Sequence, residues 1–244
     1  MEKKGQVTLF VILAIILIAA ISLYFAFRNK NTSENIPPAV EPIYTSIVSC
    51  LETTSKDGAE YIGEQGGYYE LPKAISIEYF TKDIPYYYLN SEENIPSLER
   101  IELELGNYIY YNLERCINFE YFEKQGYEIL GNELLVSPII RDKGVEINVN
   151  YPITITKGSS TERIENFEVF IDADIKKMIE VSKDIVDCYY KLPEFICLNC
   201  LEEISDRYSV KIVSTSFSNQ NEEAILFSIT SYETELNWII AMQI

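Results

Sequence analysis

The feature that most constrains this chain is an uninterrupted apolar run near its N-terminus. Residues 7–27, from Val7 to Phe27, contain no charged side chain. As an α-helix at about 1.5 Å per residue, a run of this length measures about 31 Å, close to the bilayer hydrocarbon thickness of about 30 Å. We therefore predict a transmembrane helix over residues 6–28, in contact with membrane lipid through residues 7–27.

The residues on either side of the run do not orient it. Lys3 and Lys4 precede it, and Arg28 and Lys30 follow it, so the positive-inside rule finds equal counts on the two sides. A cleavable secretory signal is the alternative, but its apolar core would span about 7–15 residues and would precede a small-residue cleavage site. The run here is longer and ends in aromatic residues, which favours an uncleaved helix.

The rest of the sequence divides into a polar linker and a folded domain. We predict a basic segment over 1–5, the transmembrane helix over 6–28, a Pro-containing stalk over 29–40 and a domain over 41–244. The chain carries a formal charge of −18, and so acidic a surface is repelled by nucleic acid and by anionic lipid headgroups. We expect a domain outside the cytoplasm, at the cell membrane, with no nucleic-acid partner.

The first residues also carry a processing signal. Lys3-Lys4-Gly5-Gln6, followed by the apolar run, resembles the class III signal of archaeal type IV pilin-like proteins. The resemblance implies cleavage between Gly5 and Gln6, retention of the hydrophobic helix, and self-association of that helix in a filament core. Phe10 stands where that family often has an acidic residue.

A second resemblance lies within the predicted domain. Cys50-Leu51-Glu52 and Gln65-Gly66-Gly67-Tyr68 are similar to two stretches of a group of membrane-anchored archaeal proteins. That group has no assigned activity, so the resemblance implies an anchored domain and nothing about its chemistry.

Hydrophobic spacing predicts an α+β fold for residues 41–244. Apolar residues that recur every three or four positions are typical of helices with one buried face. We assign such helices to 42–65, 97–118, 174–192 and 194–205.

Strands are predicted by a different period. Residues 145–156 alternate between apolar and polar, which indicates a strand with one wet face. Short polar turns join this strand to its neighbours and predict an antiparallel meander over about 134–172, with Pro152 on an outer edge or at a bulge. Further strands are assigned to 74–80 and 84–89, and to 209–243 at the C-terminal end.

The five cysteines suggest disulfides, as in other exported domains. Cys50 lies early in the first predicted helix and Cys116 late in the second, so antiparallel packing of the two helices would bring them together. Two buried thiols are the alternative. Cys188, Cys197 and Cys200 are close in sequence, and we predict a local disulfide among them, with Cys197 and Cys200 as the candidate pair.

Catalytic patterns are missing from the sequence. The chain has no histidine, which excludes Ser-His-Asp and Cys-His nucleophilic sites and His-ligated metals. Cys197 and Cys200 have the spacing of a zinc or redox pair, but zinc needs a second pair and a redox pair would follow a strand. Asp172-Ala173-Asp174 suits a helix cap better than a calcium site. We predict no enzyme, no cofactor and no metal site.

Structural and binding roles remain. Tyrosine occurs 19 times, with clusters at 86–88, 108–111 and 189–190, and its rings suit binding surfaces, although they also pack into cores. We expect a membrane-anchored surface protein with a structural role or a ligand- or partner-binding role. The alternative is a pilin-like subunit. An enzyme would need a carboxylate pair that no sequence pattern identifies.

Protease treatment of intact cells tests the predicted topology. We expect the protease to remove the domain while the cells stay sealed, because residues 41–244 should lie outside the membrane. Immunoblotting for the domain before and after lysis measures the loss. A domain that is protected until the cells are lysed would contradict this topology.

Overall fold

The computed structural model describes residues 36–191, 197–218 and 223–243, most of which belong to a compact unit, Val40–Ile244. The predicted transmembrane helix, the predicted processing site at Gly5 and Gln6, and residues 29–35 of the predicted stalk lie outside these ranges. Among the described residues, no helix has both the length and the apolar character that crossing a membrane requires.

Helices and strands are spread over the whole described part of the chain. The helices are α1 (Glu41–Glu64), α2 (Leu98–Cys116), α3 (Phe119–Glu123), α4 (Ile175–Lys191) and α5 (Leu198–Tyr208). The strands are β1 (Ser76–Tyr79), β2 (Lys82–Leu89), β3 (Glu92–Glu93), β4 (Tyr127–Gly131), β5 (Leu135–Arg141), β6 (Gly144–Lys157), β7 (Ser160–Ile171), β8 (Val210–Ser218), β9 (Glu223–Ser231) and β10 (Asn237–Gln243).

The strands of the described ranges form two sheets. In the first, the strand order is β1-β2-β10-β9-β8, with β3 also paired to β2. Strand β10 runs parallel to β2 and antiparallel to β9. In the second, β6 pairs antiparallel with β4, β5 and β7. This arrangement confirms the α+β class, the meander and the C-terminal strands.

Strand β6 has a break where the sequence carries a proline. Its pairing with β7 shifts register between Asn150 and Ile153, and Pro152 lies in that interval. Because proline cannot donate a ladder hydrogen bond, a bulge accommodates it inside a strand that is paired on both sides. The Pro152 carbonyl accepts a hydrogen bond from Asn132 N–H at 3.0 Å. Strand β4, which the sequence patterns did not reveal, pairs beyond this bulge.

Helix α1 turns a continuous apolar stripe inward. Pro42 lies in its first turn, where the missing N–H is not needed. Ile43, Ile47, Leu51 and Ile62 are fully buried, and the stripe packs against α2, β7 and β10. The helix therefore contacts the second sheet through β7, the first sheet through β10, and one helix, α2.

A glycine pair ends α1 and lies deep in the domain. Gly66 and Gly67 both have positive φ angles, +53° and +88°, which glycine adopts without steric cost. The Gly67 N–H donates back to the Ile62 carbonyl at 2.7 Å, the long bond of a Schellman-type helix end. A Cβ at Gly66 would lie 2.5 Å from Pro85 Cγ and 2.9 Å from the Ile239 carbonyl oxygen.

A buried hydrogen-bonded chain fixes this turn to the first sheet. The Tyr87 hydroxyl donates to the Gly66 carbonyl at 3.0 Å, and Trp238 Nε1–H donates to the Tyr87 hydroxyl at 3.1 Å. Tyr87 and Trp238 are both fully buried. Burial raises the pKa of Tyr87 well above its ordinary value, so the hydroxyl keeps its proton and remains a donor. We call these residues the Trp238–Tyr87–Gly66 chain.

The glycine turn generates a stability prediction with a matched control. Gly66→Ala should lower the free energy of unfolding by roughly 2–5 kcal/mol, because a left-handed backbone strain adds to an overpacked contact. Gly158 has a similar φ of +63°, and nothing lies within 4 Å of a Cβ added there. Gly158→Ala should therefore lower the free energy of unfolding by only about 1–2 kcal/mol. Urea unfolding followed by circular dichroism measures both. Equal losses in the two variants would contradict the packing argument.

Candidate functional site

Tyrosine rings from three segments meet on one face of the domain. Tyr61 comes from α1, Tyr69 from the loop after the glycine turn, and Tyr108, Tyr110 and Tyr111 from α2. Ring centroids lie 5.2 Å apart for Tyr61 and Tyr108, 5.6 Å for Tyr69 and Tyr108, and 5.1 Å for Tyr110 and Tyr111. We call these five residues the tyrosine surface.

Close packing of α1 against α2 creates this surface. A Cβ on Gly58 of α1 would lie 2.7 Å from the Tyr108 ring, so glycine allows the helices to approach. Further along the two helices, Cys50 and Cys116 form a disulfide with a Cα–Cα distance of 5.6 Å. This is the pair that the sequence analysis named, and it joins an early residue of α1 to the last residue of α2, as antiparallel helices require.

A buried carboxylate holds the loop that carries Tyr69. Glu104 Oε2 accepts the backbone N–H groups of Tyr69 at 2.9 Å and Glu70 at 3.0 Å. Its Oε1 lies 2.5 Å from Arg100 on the preceding turn of α2. Glu104 is only 1 % exposed, and these bonds supply the partners that a buried charge needs. The loop is therefore fastened to α2, which fixes one ring of the tyrosine surface.

Three rings of the surface remain accessible to solvent. Tyr61, Tyr110 and Tyr111 are 42 %, 47 % and 53 % exposed, respectively. Tyr69 and Tyr108 are half-buried between them. Contiguous exposed rings of this kind mark interaction sites more often than scattered ones do.

Negative charge borders the tyrosine surface. Burial is the largest cause that raises the pKa of Tyr108, and the negative charges of Asp57 and Glu60 raise it further. Glu60 also lines an adjacent cavity of about 580 Å³ whose wall includes Glu64, Asp172 and Glu235. Tyr61 and the carboxylates of Asp57, Glu60 and Glu64 therefore share one stretch of α1. Aromatic faces and carboxylates both attract cations.

The other tyrosine clusters of the sequence have different environments. Tyr86 and Tyr87 are buried in the core, so these two rings offer no binding face. Tyr88 contacts Tyr189 and Tyr190, with centroid distances of 6.1 and 6.4 Å. Tyr190 is 69 % exposed. The run 108–111 contributes two exposed rings, Tyr110 and Tyr111, and meets Tyr61 and Tyr69 from outside the run.

The second disulfide corrects the cysteine pairing. Cys188 on α4 is bonded to Cys200 on α5, with Cα atoms 6.5 Å apart, and Cys197 is a free thiol. The predicted local disulfide among Cys188, Cys197 and Cys200 is confirmed, but the candidate pair Cys197 with Cys200 was wrong. Cys197 immediately precedes α5 and Cys200 lies in its first turn, whereas α4 packs directly against α5 and presents Cys188 to it.

Asp174, the second carboxylate of the acidic pair before α4, has structural partners. Asp174 Oδ2 accepts the Ser231 hydroxyl at 2.6 Å and lies 2.8 Å from Lys177 Nζ. Burial alone would raise the pKa of Asp174, but the bonds from Lys177 and Ser231 hold it below its ordinary value. The Asp174 carbonyl also accepts Met178 N–H in the first turn of α4. Asp174 thus connects the start of α4 to the end of β9.

Comparisons with known proteins add no relative to this description. No protein-family model, no curated protein and no solved structure matches the chain. By its geometry alone, the described part of the chain is an α+β domain with an exposed tyrosine surface beside an acidic cavity.

Glu104 generates a prediction about the tyrosine surface. Glu104→Ala should lower the free energy of unfolding by roughly 2–4 kcal/mol, because two backbone N–H groups lose their acceptor and the Tyr69 loop is released. Glu104→Gln keeps a carbonyl oxygen for those groups and should lose less. Urea unfolding measures stability, and near-ultraviolet circular dichroism of the tyrosines measures the release. An alanine variant with wild-type stability and an unchanged tyrosine signal would contradict this role.

Proposed function

We propose that this chain is a membrane-anchored surface protein whose domain, outside the cytoplasm, binds a partner through the tyrosine surface. The apolar run of residues 7–27 supports the anchor. The charge of −18 and the disulfides support a domain exposed to an oxidising exterior. No catalytic step is part of this proposal.

The observation that carries the binding role is the composition of the tyrosine surface and its border. The exposed rings of Tyr61, Tyr110 and Tyr111 belong to the same surface as Tyr108, whose pKa is raised by burial and by the charges of Asp57 and Glu60. A guanidinium or ammonium group placed over such rings would gain both the quadrupole attraction of the ring and the field of the carboxylates. The described residues make such contacts internally: Lys157 Nζ lies 3.9 Å from the centroid of Tyr127, and Arg207 Cζ lies 5.9 Å from the centroid of Tyr208. The proposed partner is therefore cationic.

A pilin-like subunit is the second candidate. The sequence Lys3-Lys4-Gly5-Gln6 favours it, because its resemblance to a class III signal implies a mature chain that begins at Gln6. Intact mass and electron microscopy separate the two candidates. A mass starting at Gln6 together with filaments would favour the pilin-like subunit, and a mass starting at Met1 without filaments would favour the anchored binding protein.

Binding of a short arginine-rich peptide tests the proposed function. We expect Tyr61→Ala combined with Tyr111→Ala to weaken binding by about 5–30-fold, since each cation–π contact at an exposed site contributes about 0.5–1 kcal/mol. Fluorescence anisotropy of the labelled peptide, with the full chain in non-ionic detergent, measures the dissociation constant.

The matched control removes two exposed rings elsewhere without a change in charge. Tyr121 and Tyr232 are 59 % and 67 % exposed and lie outside the tyrosine surface. Tyr121→Ala combined with Tyr232→Ala should bind the peptide as the wild type does. If both double variants bind equally well, the peptide is attracted by net charge alone and the tyrosine surface is not the binding site.

A further inference from the structure

The sulfur atoms of three cysteines converge at the junction of α4 and α5. The Sγ atoms of Cys188, Cys197 and Cys200 all lie within 4.8 Å of one another. Cys188 is buried, and the other two are half-buried. The disulfide uses two of these sulfurs, and the third belongs to the free thiol of Cys197.

The surroundings of the cluster are those of a polar site and not of an apolar core. The cysteines line a cavity of about 360 Å³ together with the carboxylates of Asp184, Asp187 and Glu203. Arg207 lines the same cavity and lies 2.8 Å from Asp184. A free cysteine that only fills space is normally enclosed by apolar groups, which this position is not.

The distances suit a tetrahedral thiophilic metal. Zinc bound to thiolates at about 2.3 Å places neighbouring sulfurs about 3.8 Å apart. All three sulfurs lie within 4.8 Å of one another, and the two in the disulfide must separate once their bond is broken. Cys197 and Cys200 are separated by two residues at the start of α5, the short spacing common in structural zinc sites. Cys188 supplies the third sulfur from α4, and a water molecule or a carboxylate of the cavity wall would take the fourth position.

We propose that, when the Cys188–Cys200 bond is reduced, Cys188, Cys197 and Cys200 bind a divalent cation of the zinc class. The cluster then has two states, a disulfide with one spare thiol and a three-thiolate metal site. This site is separate from the tyrosine surface. Its metal-bound state needs a reductant, so in the oxidising exterior of the proposed function the disulfide state prevails.

Reduction by a trialkylphosphine opens the disulfide and frees its two sulfurs for the metal. A trialkylphosphine attacks one sulfur of the disulfide, and water completes the step, so that the phosphine becomes its oxide and both sulfurs become thiols. Metal binding then releases the three thiol protons, because thiolate is the ligand. The three thiolates and the divalent cation together carry one negative charge, and Arg207 lies on the wall of the same cavity.

Cobalt binding to the full chain in detergent tests the site. After reduction with a trialkylphosphine under anaerobic conditions, we expect the wild type to bind one Co²⁺ with a thiolate-to-cobalt charge-transfer band that Zn²⁺ abolishes. Cys197→Ser should bind Co²⁺ at least about tenfold more weakly, since loss of even a supporting residue weakens metal affinity by about 10–100-fold. The oxidised wild type should show no such band.

The variants separate this cluster from the other cysteines. Cys197→Ser leaves both disulfides intact in the oxidised protein, so the variant can be prepared folded. Cys50→Ala combined with Cys116→Ala removes the remaining thiols and should keep the cobalt band. Absence of the band in the reduced wild type, or an unchanged band and affinity in Cys197→Ser, would overturn the proposal.

Discussion

The structure depends on a hydrogen-bonded chain that is hidden from water. Trp238 donates to Tyr87, and Tyr87 donates to the carbonyl of Gly66, so a helix end, strand β2 and strand β10 meet at one hydroxyl group. Each of these polar atoms would be costly to bury alone, and together they satisfy one another. The glycine turn must stay in its left-handed conformation for this to happen. That turn also directs the following loop to Glu104, and through it to the tyrosine surface.

The parts of the fold that the sequence predicted are those that depend on local spacing. The alternation in β6, the stripe of α1 and the start of α2 near residue 97, where Ser97 Oγ accepts Arg100 N–H at 3.2 Å, are visible within short windows. The irregularity at Pro152 could also be predicted locally, because a proline within a strand cannot donate a ladder hydrogen bond. The parallel pairing of β2 with β10 and the addition of β4 to β6 join segments that are distant in sequence, and no local period encodes them.

The candidate site shows the same division between local and distant information. The tyrosines of α2 are conspicuous in the sequence, but Tyr61 and Tyr69 join them only because Gly58 lets two helices approach and Glu104 fastens a loop. Glu104 lies on the apolar side of α2, and a glutamate at such a position is a sequence signal from which a buried role could have been predicted. The prediction for the second disulfide was wrong for the opposite reason. Proximity in sequence suggested Cys197 as the partner of Cys200, whereas the packing of α4 against α5 brings Cys188 to it.

The position of β10 has a consequence for how the domain can be divided. This strand lies between β2 and β9, so the first sheet combines segments from both halves of the sequence. A chain cut at the Gly158 turn would yield two fragments, each holding strands whose neighbours are in the other, and they would have to reassociate to become folded. Recombination could therefore not transfer either half as an independent module, although an insertion at that same turn would interrupt no pairing between the halves.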